Sequence, residues 1–445
     1  MYKNKKFFVL GMARSGLEVS KLLAPENKIF ATDLKEPTEE NMNLINELGV
    51  EFKQLENPEE YIDSSFDYLI KTPGIKYTHP CVIRANELGI PVVNEVEIAY
   101  DYIDPSVQII GITGSNGKTT TTTMIYETLK EAFKEKVHLA GNIGIPLSAM
   151  IKDIKANDIL VAEISDHQLC DMYNFKTNIS IVTNISECHI DFHDSYDRYK
   201  MMKKRIFNHH TSEDLAIINN DNEEAKNITT GIESTIEYFS KSADTKCVLR
   251  DGVIYYDNEE VVNTADFLVK GNHNAENAMC AIMVAKRFGV SNDIIKSVLC
   301  NFKGVEHRLE FVGNINGRIV YNDSKSTNCE STKIALSSFN QPTIILLGGL
   351  DRGHSFDELV PFMNDVKQVV CYGETKLRIK EFCDNFGFNC EVVGTLEEAT
   401  NKAYELSTEG DVILLSPACA SWDQFAKFED RGELFKNTIK GIGEK

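Results

Sequence analysis

Residues 108–125 read QIIGITGSNGKTTTTTMI: an apolar run of strand length, a glycine-bearing turn, a lysine, and a threonine-rich entry into a helical pattern. A strand that feeds a helix through a glycine loop belongs to a sheet whose carboxyl edge carries that loop. This commits the segment to parallel α/β architecture. Strand-length apolar runs alternate with helical periodicity along nearly all of the chain, which extends the reading. KKFFVLG, KIFATD, DYLIKT and PVVNE are the expected strands of a first sheet, and QIIGITG, KVHLAG, DILVAEIS, NISIVTNIS and LAIINND those of a second. CVLRDGVIYYDNEEVVN reads as a β-meander inserted in the second, with two helical stretches after it. RIVYND, TIILLGG, QVVCYG, CEVVG and DVILLSP form a third series. At 445 residues the chain exceeds one ordinary core. The expected class is α/β with three domains, 1–97, 98–305 and 306–445, each a mostly parallel sheet with flanking helices: Rossmann-like, P-loop ATPase and Rossmann-like in turn.

Bulk properties narrow the function classes. A net charge of −20 argues against a nucleic-acid partner, whose phosphates favour a basic surface. No apolar stretch reaches the roughly 18 residues of a membrane span. MYKNKKFFVLGM has a basic start, but its apolar run breaks at Gly11 and reads as a first strand rather than a signal peptide. The eleven cysteines form no CxxC pair and lie within apolar runs, as Cys280, Cys300 and Cys371 do. They are expected to be reduced core residues of a cytoplasmic protein, not zinc ligands.

The loop is Thr113-Gly114-Ser115-Asn116-Gly117-Lys118-Thr119. In the common phosphate-loop pattern the first glycine falls where Ile112 stands, so the spacing differs while the mechanics survive. Gly114 and Gly117 permit a tight turn whose N–H groups face phosphate, and the helix presents its positive end. Lys118 reaches the terminal phosphates and Thr119 is a Mg²⁺ ligand. ATP binding, with Thr120 completing the loop, is the expected role.

TGSNGKTT resembles the signature of the Mur ligases and their folylpolyglutamate synthetase relatives, which activate a carboxylate with ATP and join it to an amine. The resemblance extends along essentially the whole chain. It implies that Asn142, in HLAGNIG, lies near the substrate and that Glu163, in VAEIS, binds Mg²⁺. TNISECHIDFHD is similar to the family's Asp-His-Leu-Asp stretch, with Cys188 in place of the aspartate and His189 as an implied ligand of a second Mg²⁺. Lys203, in YKMMKKRIF, aligns with the family's carbamylated lysine, whose carbamate would be an anionic metal ligand. HNAEN implies Asn277 as the adenine contact, EHRLE implies Arg308 on the ATP phosphates, and YNDSKSTN implies Asp323 on the nucleotide and Lys325 on the transferred phosphoryl group. The catalytic set so implied is Lys118, Lys203, His189, Lys325 and Arg308.

Within the family, LLSPACASWDQFAKFEDRG resembles the members that take D-glutamate, which implies contacts from Ser421 and Phe428 and, further upstream, Thr327. Arg352, in GGLDRGHSF, stands at or next to their carboxylate-binding lysine and is a competent bidentate partner. GMARSG, with Asp33 ending the next strand, is by itself a weak dinucleotide fingerprint. In the resembling members this segment holds UDP, implying Ser15 and Gly16 near the pyrophosphate, Asp33 and Lys35 around the uracil, and Thr72, Pro73 and Gly74 beside the nucleotide. His189 and Asn142 complete the substrate side. The implied partners are UDP-N-acetylmuramoyl-L-alanine and D-glutamate, with ATP and two Mg²⁺ ions, acting on a monomer. EISDHQLCDM departs from the family's Glu-Leu-Ser-Ser-Phe-Gln-Leu at Asp166 and His167. A sister ligase adding another amino acid and a non-catalytic UDP-sugar/ATP sensor stay as alternatives, and a dinucleotide oxidoreductase rests on the first thirty-odd residues alone.

Overall fold

The computed structural model describes residues 2–443. Among the described residues there are three sheets with helices packed on their faces, one parallel throughout and two parallel except at one edge. The chain divides into two compact units, one running to Val262 and including Glu276–Val298, the other made of Asn263–Ala275 and the chain from Leu299 on.

The first unit holds two sheets. In the smaller, strands Glu51–Phe52, Lys28–Thr32, Lys6–Leu10, Tyr68–Lys71 and Val92–Val93 lie side by side in that spatial order, all parallel. Phe7, Phe8 and Val9 are each at most 1% exposed, so the central strand is apolar on both faces, as a sheet covered on both sides requires. In the larger sheet, strand Gln108–Thr113 lies between Ile159–Glu163 and Ile179–Val182, with Val137–Gly141 beyond the former and Leu215–Asn219 beyond the latter. These five run parallel, so their carboxyl ends, and the loops that follow them, gather at one edge.

The same sheet continues outward through Thr235–Ser240, Cys247–Arg250, Val253–Tyr256 and Glu259–Asn263. Thr235–Ser240 was not among the expected strands. It pairs parallel with both neighbours, so the alternation persists beyond Asn219 and the antiparallel turn-back begins only at Val253.

Helix Lys118–Phe133 carries the threonine run. Thr121 and Thr122 are fully buried, and the hydroxyl of Thr123 donates to the Thr119 carbonyl at 2.8 Å. Burial offsets the weak helix propensity of β-branched residues, and the back-bond satisfies the Thr123 hydroxyl.

In the second unit the spatial order is Glu310–Ile315, Arg318–Asn322, Val412–Leu415, Thr343–Gly348, Val366–Tyr372 and Cys390–Val392. Only the first pairing is antiparallel. Glu310–Ile315 was not among the expected strands. It pairs with an irregularity between Phe311 and Gly313, which breaks the period-2 pattern that would have betrayed it. The eleven cysteines form no disulfide, although Cys371 and Cys390 bring their sulfurs to 3.5 Å. Among the described residues no helix is long and apolar enough to cross a membrane.

Candidate active site

The phosphate loop leaves the carboxyl end of Gln108–Thr113 and is braced by the segment that follows its neighbour Ile179–Val182. Ser115 and Asn116 donate their backbone N–H groups to the Asn184 carbonyl (2.8 Å) and to Asn184 Oδ1 (2.9 Å). Thr183 Oγ1 donates to the Asn116 carbonyl at 2.6 Å, and Ser115 Oγ meets Tyr199 OH at 2.7 Å. Gly114 has φ +146° and a Cβ there would meet Thr183 Oγ1 at 2.0 Å, while Gly117 has φ +81° and a Cβ would meet Asn277 Oδ1 at 2.7 Å. Both positions therefore need glycine for conformation and for space. Lys118 Nζ turns back onto the carbonyls of Gly114 (2.9 Å) and Ser115 (3.0 Å), keeping its ammonium over the loop. Asn277 is buried against the same helix, accepting from Thr121 Oγ1 at 3.0 Å. Thr119 and Thr120 are half-buried in the first helical turn.

Two strands away, the turn after Val137–Gly141 places Asn142 beside Glu163. Asn142 Nδ2 donates to Glu163 Oε1 at 2.8 Å, and its N–H donates to the Glu163 carbonyl. Glu163 Oε2 is buried without a hydrogen-bond partner. A carboxylate oxygen held in this way is a ready cation ligand.

Behind the loop lies a buried cluster of charge. Lys203 is fully buried, with Nζ donating to Thr113 Oγ1 (3.1 Å) and the Gly114 carbonyl (2.9 Å) and paired with Asp166 Oδ1 (3.2 Å). Burial lowers its pKa to about 8, with the Lys118 charge adding and Asp166 opposing. Asp166 Oδ2 faces His189 Nδ1 at 2.9 Å, His193 Nε2 at 2.8 Å and His167 Nδ1 at 3.3 Å. Burial pushes the Asp166 carboxyl up, but the bonds from His189 and His193 and the Lys203 charge outweigh it and hold it well below the usual range. His167 is pushed down to about 4, chiefly by burial, against the pull of Asp166. His189 sits at φ +53°, a strained backbone for a non-glycine residue, at the start of the short helix Ile190–His193.

In the smaller sheet of this unit, a cleft of about 560 Å³ is lined by Gly11, Ala13, Asp33, Thr72, Gly74 and Lys76, among others. Asp33 accepts from Met12 N–H at 2.6 Å and from Lys35 N–H at 3.1 Å, joining the two turns. Ser15 and Gly16 begin the adjoining helix Arg14–Leu23, and Pro73 lies between two of the lining residues.

The second unit gathers its expected residues at the carboxyl ends of three neighbouring strands, Arg318–Asn322, Val412–Leu415 and Thr343–Gly348. Asp323 lies inside its turn, accepting from Ser326 Oγ (2.5 Å), Ser416 Oγ (2.8 Å) and Leu309 N–H (3.1 Å). Its pKa is pushed up to about 6 by burial, against these bonds. Its carboxylate thus organises the loops that carry Arg308, which is exposed, and Lys325, whose ammonium stands 5.5 Å from the Phe428 ring centre. Thr327 ends the same turn half-buried, Ser421 is buried, and exposed Arg352 lies over the Trp422 ring at 4.9 Å.

Three groups here went unassigned in the sequence. Asp166 was visible only as a departure, Tyr199 only as a helix residue, and Arg431 only as part of a quoted stretch. Arg431 is fully buried and donates to Ser324 Oγ (3.0 Å), the Ser324 carbonyl (2.7 Å) and the Cys419 carbonyl (2.9 Å), tying the Lys325 turn to the loop that leads into Ser421.

Comparison with known proteins agrees with this layout. Residues 112–285 match the Mur ligase middle domain, and residues 307–419 match the Mur ligase glutamate ligase domain. The chain is 43% identical over 444 residues to the UDP-N-acetylmuramoylalanine--D-glutamate ligase of Geobacillus sp. (strain WCH70), covering 98% of each. It is 41% identical to the enzyme of that name from Bacillus cereus (strain Q1), again over 98% of each chain. Among solved structures, the UDP-N-acetylmuramate-alanine ligase of Thermotoga maritima shares the fold with a TM-score of 0.62 at 19% identity, covering 98% of this chain and 99% of that one. The MurF ligase of Thermotoga maritima, solved in complex with ADP, does so at 0.58 and 16%, covering 95% and 97%. Both domain matches and the full-length similarity place the chain in one lineage: it belongs to the Mur ligase family.

Proposed function

We propose that this chain joins D-glutamate to UDP-N-acetylmuramoyl-L-alanine at the expense of ATP, forming ADP, phosphate and an amide bond in peptidoglycan precursor synthesis. The single observation that carries the chemistry is the pairing of the glycine-lysine loop with the half-satisfied carboxylate of Glu163 at the same sheet edge. The amino acid follows from the activity named for the relatives that match along the whole chain.

The alanyl carboxylate attacks the γ-phosphoryl group in line and gives an acyl phosphate. The D-glutamate amine then adds to the acyl carbon, and the tetrahedral adduct loses phosphate. Lys118 and the loop N–H groups hold the phosphate chain, and charge developing on the transferred group is offset by Lys118. The family pattern assigns Arg308, Asp323 and Lys325 of the second unit to the same nucleotide. Thr327, Ser421, Phe428 and Arg352 fit an amino dicarboxylate, with Arg352 as its carboxylate partner. The cleft around Asp33 fits the uracil end of the substrate, with Lys35 and the Thr72-Pro73-Gly74 turn beside it.

Donor chemistry fits magnesium: Thr119 and Glu163 offer oxygens for one ion, and Glu163, His189 and a carbamate on Lys203 would offer a second position. Bound there, the ions would supply charge neutralisation of the phosphates. The reading takes residues 1–97 as the nucleotide-substrate part, 98–305 as the ATP part and 306–445 as the amino-acid part of a cytoplasmic monomer.

The test is phosphate release from ATP and Mg²⁺ with UDP-N-acetylmuramoyl-L-alanine, across D-glutamate, L-glutamate, L-alanine, glycine, L-lysine and diaminopimelate. Release with D-glutamate alone is expected. Release with a different amino acid alone would make the chain a sister ligase.

A further inference from the structure

The sheet of the second unit ends in a three-residue edge strand, Cys390–Val392, which pairs on one side with Val366–Tyr372. Cys390 stands opposite Val369 in that pairing, so Cys371, two residues further on, lies on the same face of the sheet. The two sulfurs are 3.5 Å apart. A third cysteine, Cys383 in the last turn of helix Lys376–Phe386, also hydrogen-bonds the Cys390 sulfur.

The three thiols are not equivalent. Cys371 and Cys383 are fully buried, while Cys390 is half-buried between exposed Asn389 and exposed Glu391. Hydrogen bonds from Cys371 and Cys383 hold the Cys390 thiol below its usual range, with the Lys380 charge adding and burial opposing. The contact with Cys390, followed by burial, pushes Cys371 and Cys383 up. Elsewhere burial pushes the thiols of Cys81, Cys247 and Cys280 up, as in inert core cysteines. An accessible thiolate beside a buried thiol is the arrangement of a peroxide-sensitive pair, in which the first attacks and the second resolves.

A disulfide requires the sulfurs to approach to about 2.05 Å. The edge strand carries no further strand on its outer side, so it can follow that movement without breaking a second ladder. Cys371 Sγ also touches the Lys376 carbonyl at 3.3 Å, at the start of helix Lys376–Phe386. Two residues on, Arg378 holds the Asp351 carboxylate and the His354 carbonyl, on either side of Arg352. Drawing the Cys371 sulfur towards Cys390 and removing its hydrogen loosens the contact at this helix start.

We propose that Cys390 and Cys371 form a peroxide-responsive pair whose disulfide shifts the loop that carries Arg352. The Cys390 thiolate attacks one oxygen of hydrogen peroxide, the O–O bond breaks, and hydroxide leaves and takes up a proton as water. The Cys371 sulfur then attacks the sulfenic acid on Cys390. The S–O bond breaks, Cys371 gives up its proton, and a second water leaves. Two thiols and one peroxide thus give one disulfide and two waters, and an external dithiol reverses the change. The pairing stands whether or not the chain is a D-glutamate ligase.

The test treats the reduced full-length chain with a slight excess of hydrogen peroxide and maps its thiols by alkylation and mass spectrometry. The wild type is expected to gain one Cys371–Cys390 disulfide that dithiothreitol reverses. Dimedone should trap a sulfenic acid on Cys390 in Cys371→Ala. Cys390→Ser should form no disulfide and consume peroxide about tenfold more slowly or less. Cys383→Ala should still close the bridge. Should Cys371→Ala fail to fold, half-buried Cys390→Ser carries the mapping alone. Trp422, the single tryptophan, reports on the loop, because the Arg352 guanidinium lies 4.9 Å from its ring centre. Its emission should change when the wild type is oxidised and stay constant in Cys390→Ser. First oxidation at another cysteine, a Cys383–Cys390 bridge in the wild type, undiminished peroxide consumption by Cys390→Ser, or Trp422 emission unchanged by the disulfide would overturn the proposal. None of these readouts uses the ligation substrates, so a failed phosphate-release assay counts against the ligase reading alone.

Discussion

Asn142 Nδ2 donates to Glu163 Oε1 at 2.8 Å while Oε2 of the same carboxylate lies buried without a hydrogen bond. The amide fixes the plane of the carboxylate and points its open oxygen one way. Removing the amide lets the carboxylate turn, and loss of such an orienting partner costs roughly 10–100-fold in metal affinity. Asn142→Ala should raise the Mg²⁺ concentration needed for half-maximal phosphate release by about that factor. An unshifted Mg²⁺ titration would sink this role for Asn142.

Lys71 Nζ and Asp171 Oδ2 stand 2.6 Å apart with their side chains 1% and 10% exposed, linking the smaller sheet of the first unit to the larger. Their contact is ionic rather than a well-aligned hydrogen bond. Removing one partner strands the other charge in the interior, and Lys71→Ala should destabilise the first unit by about 3–5 kcal/mol in urea denaturation. The double variant Lys71→Met/Asp171→Leu should recover most of that loss. Equal stability of the single and double variants would contradict it.

His210 is enclosed by Thr177, Ser180 and Ser234, and burial pushes its pKa from 6.5 down to about 4. Above pH 6.5 the ring is neutral in both folded and unfolded chains. As pH falls towards 4 the unfolded chain takes up the proton first, so stability drops, by about 2–3 kcal/mol over the window. His210→Gln should flatten the wild-type slope between those two values. Parallel pH profiles for the two proteins would refute the assignment.

Arg431 holds Ser324 by its hydroxyl and its carbonyl, and Lys325 is the next residue. Replacing Arg431 with methionine keeps the volume but frees the turn, and a small displacement of a phosphoryl-contacting group can cost on the order of 100-fold in rate. Arg431→Met should lower kcat by roughly 10–100-fold. The KM for ATP should rise as well, because the family pattern assigns Asp323 and Lys325 of that turn to the same nucleotide. Arg431→Lys should rescue only part. A fall in stability with kcat unchanged would reduce Arg431 to a purely structural role.

The sequence made most strands legible because strand-length apolar runs recur between helical patterns. It concealed Thr235–Ser240, whose residues before Phe239 are only partly buried or exposed, and Glu310–Ile315, whose irregularity at Phe311/Gly313 breaks the repeat. The phosphate loop was legible because its chemistry is local: glycine, lysine and the start of a helix are consecutive. Asp166 and Arg431 were not, because their meaning lies in partners far along the chain, Lys203 in one case and Ser324 in the other. Nothing in EISDHQL reveals that its aspartate faces a lysine on another helix.

The two sheets of the first unit are stitched together at several points: Lys71 to Asp171, Asn94 Nδ2 to the Gln168 carbonyl at 2.6 Å, and Glu97 to the N–H groups of Asn174 (2.7 Å) and Phe175 (3.1 Å). Lys76 adds a bond to the Asp191 carbonyl at 2.6 Å. The cleft around Asp33 and the loop at Lys118 therefore ride on a common rigid body, and the gap between them is a fixed length. A molecule anchored by its nucleotide in the cleft presents its far end to the phosphate only if its stem spans that gap. On the proposed function, this unit would act as a caliper, admitting a substrate whose reach matches the gap before any side chain inspects its chemistry.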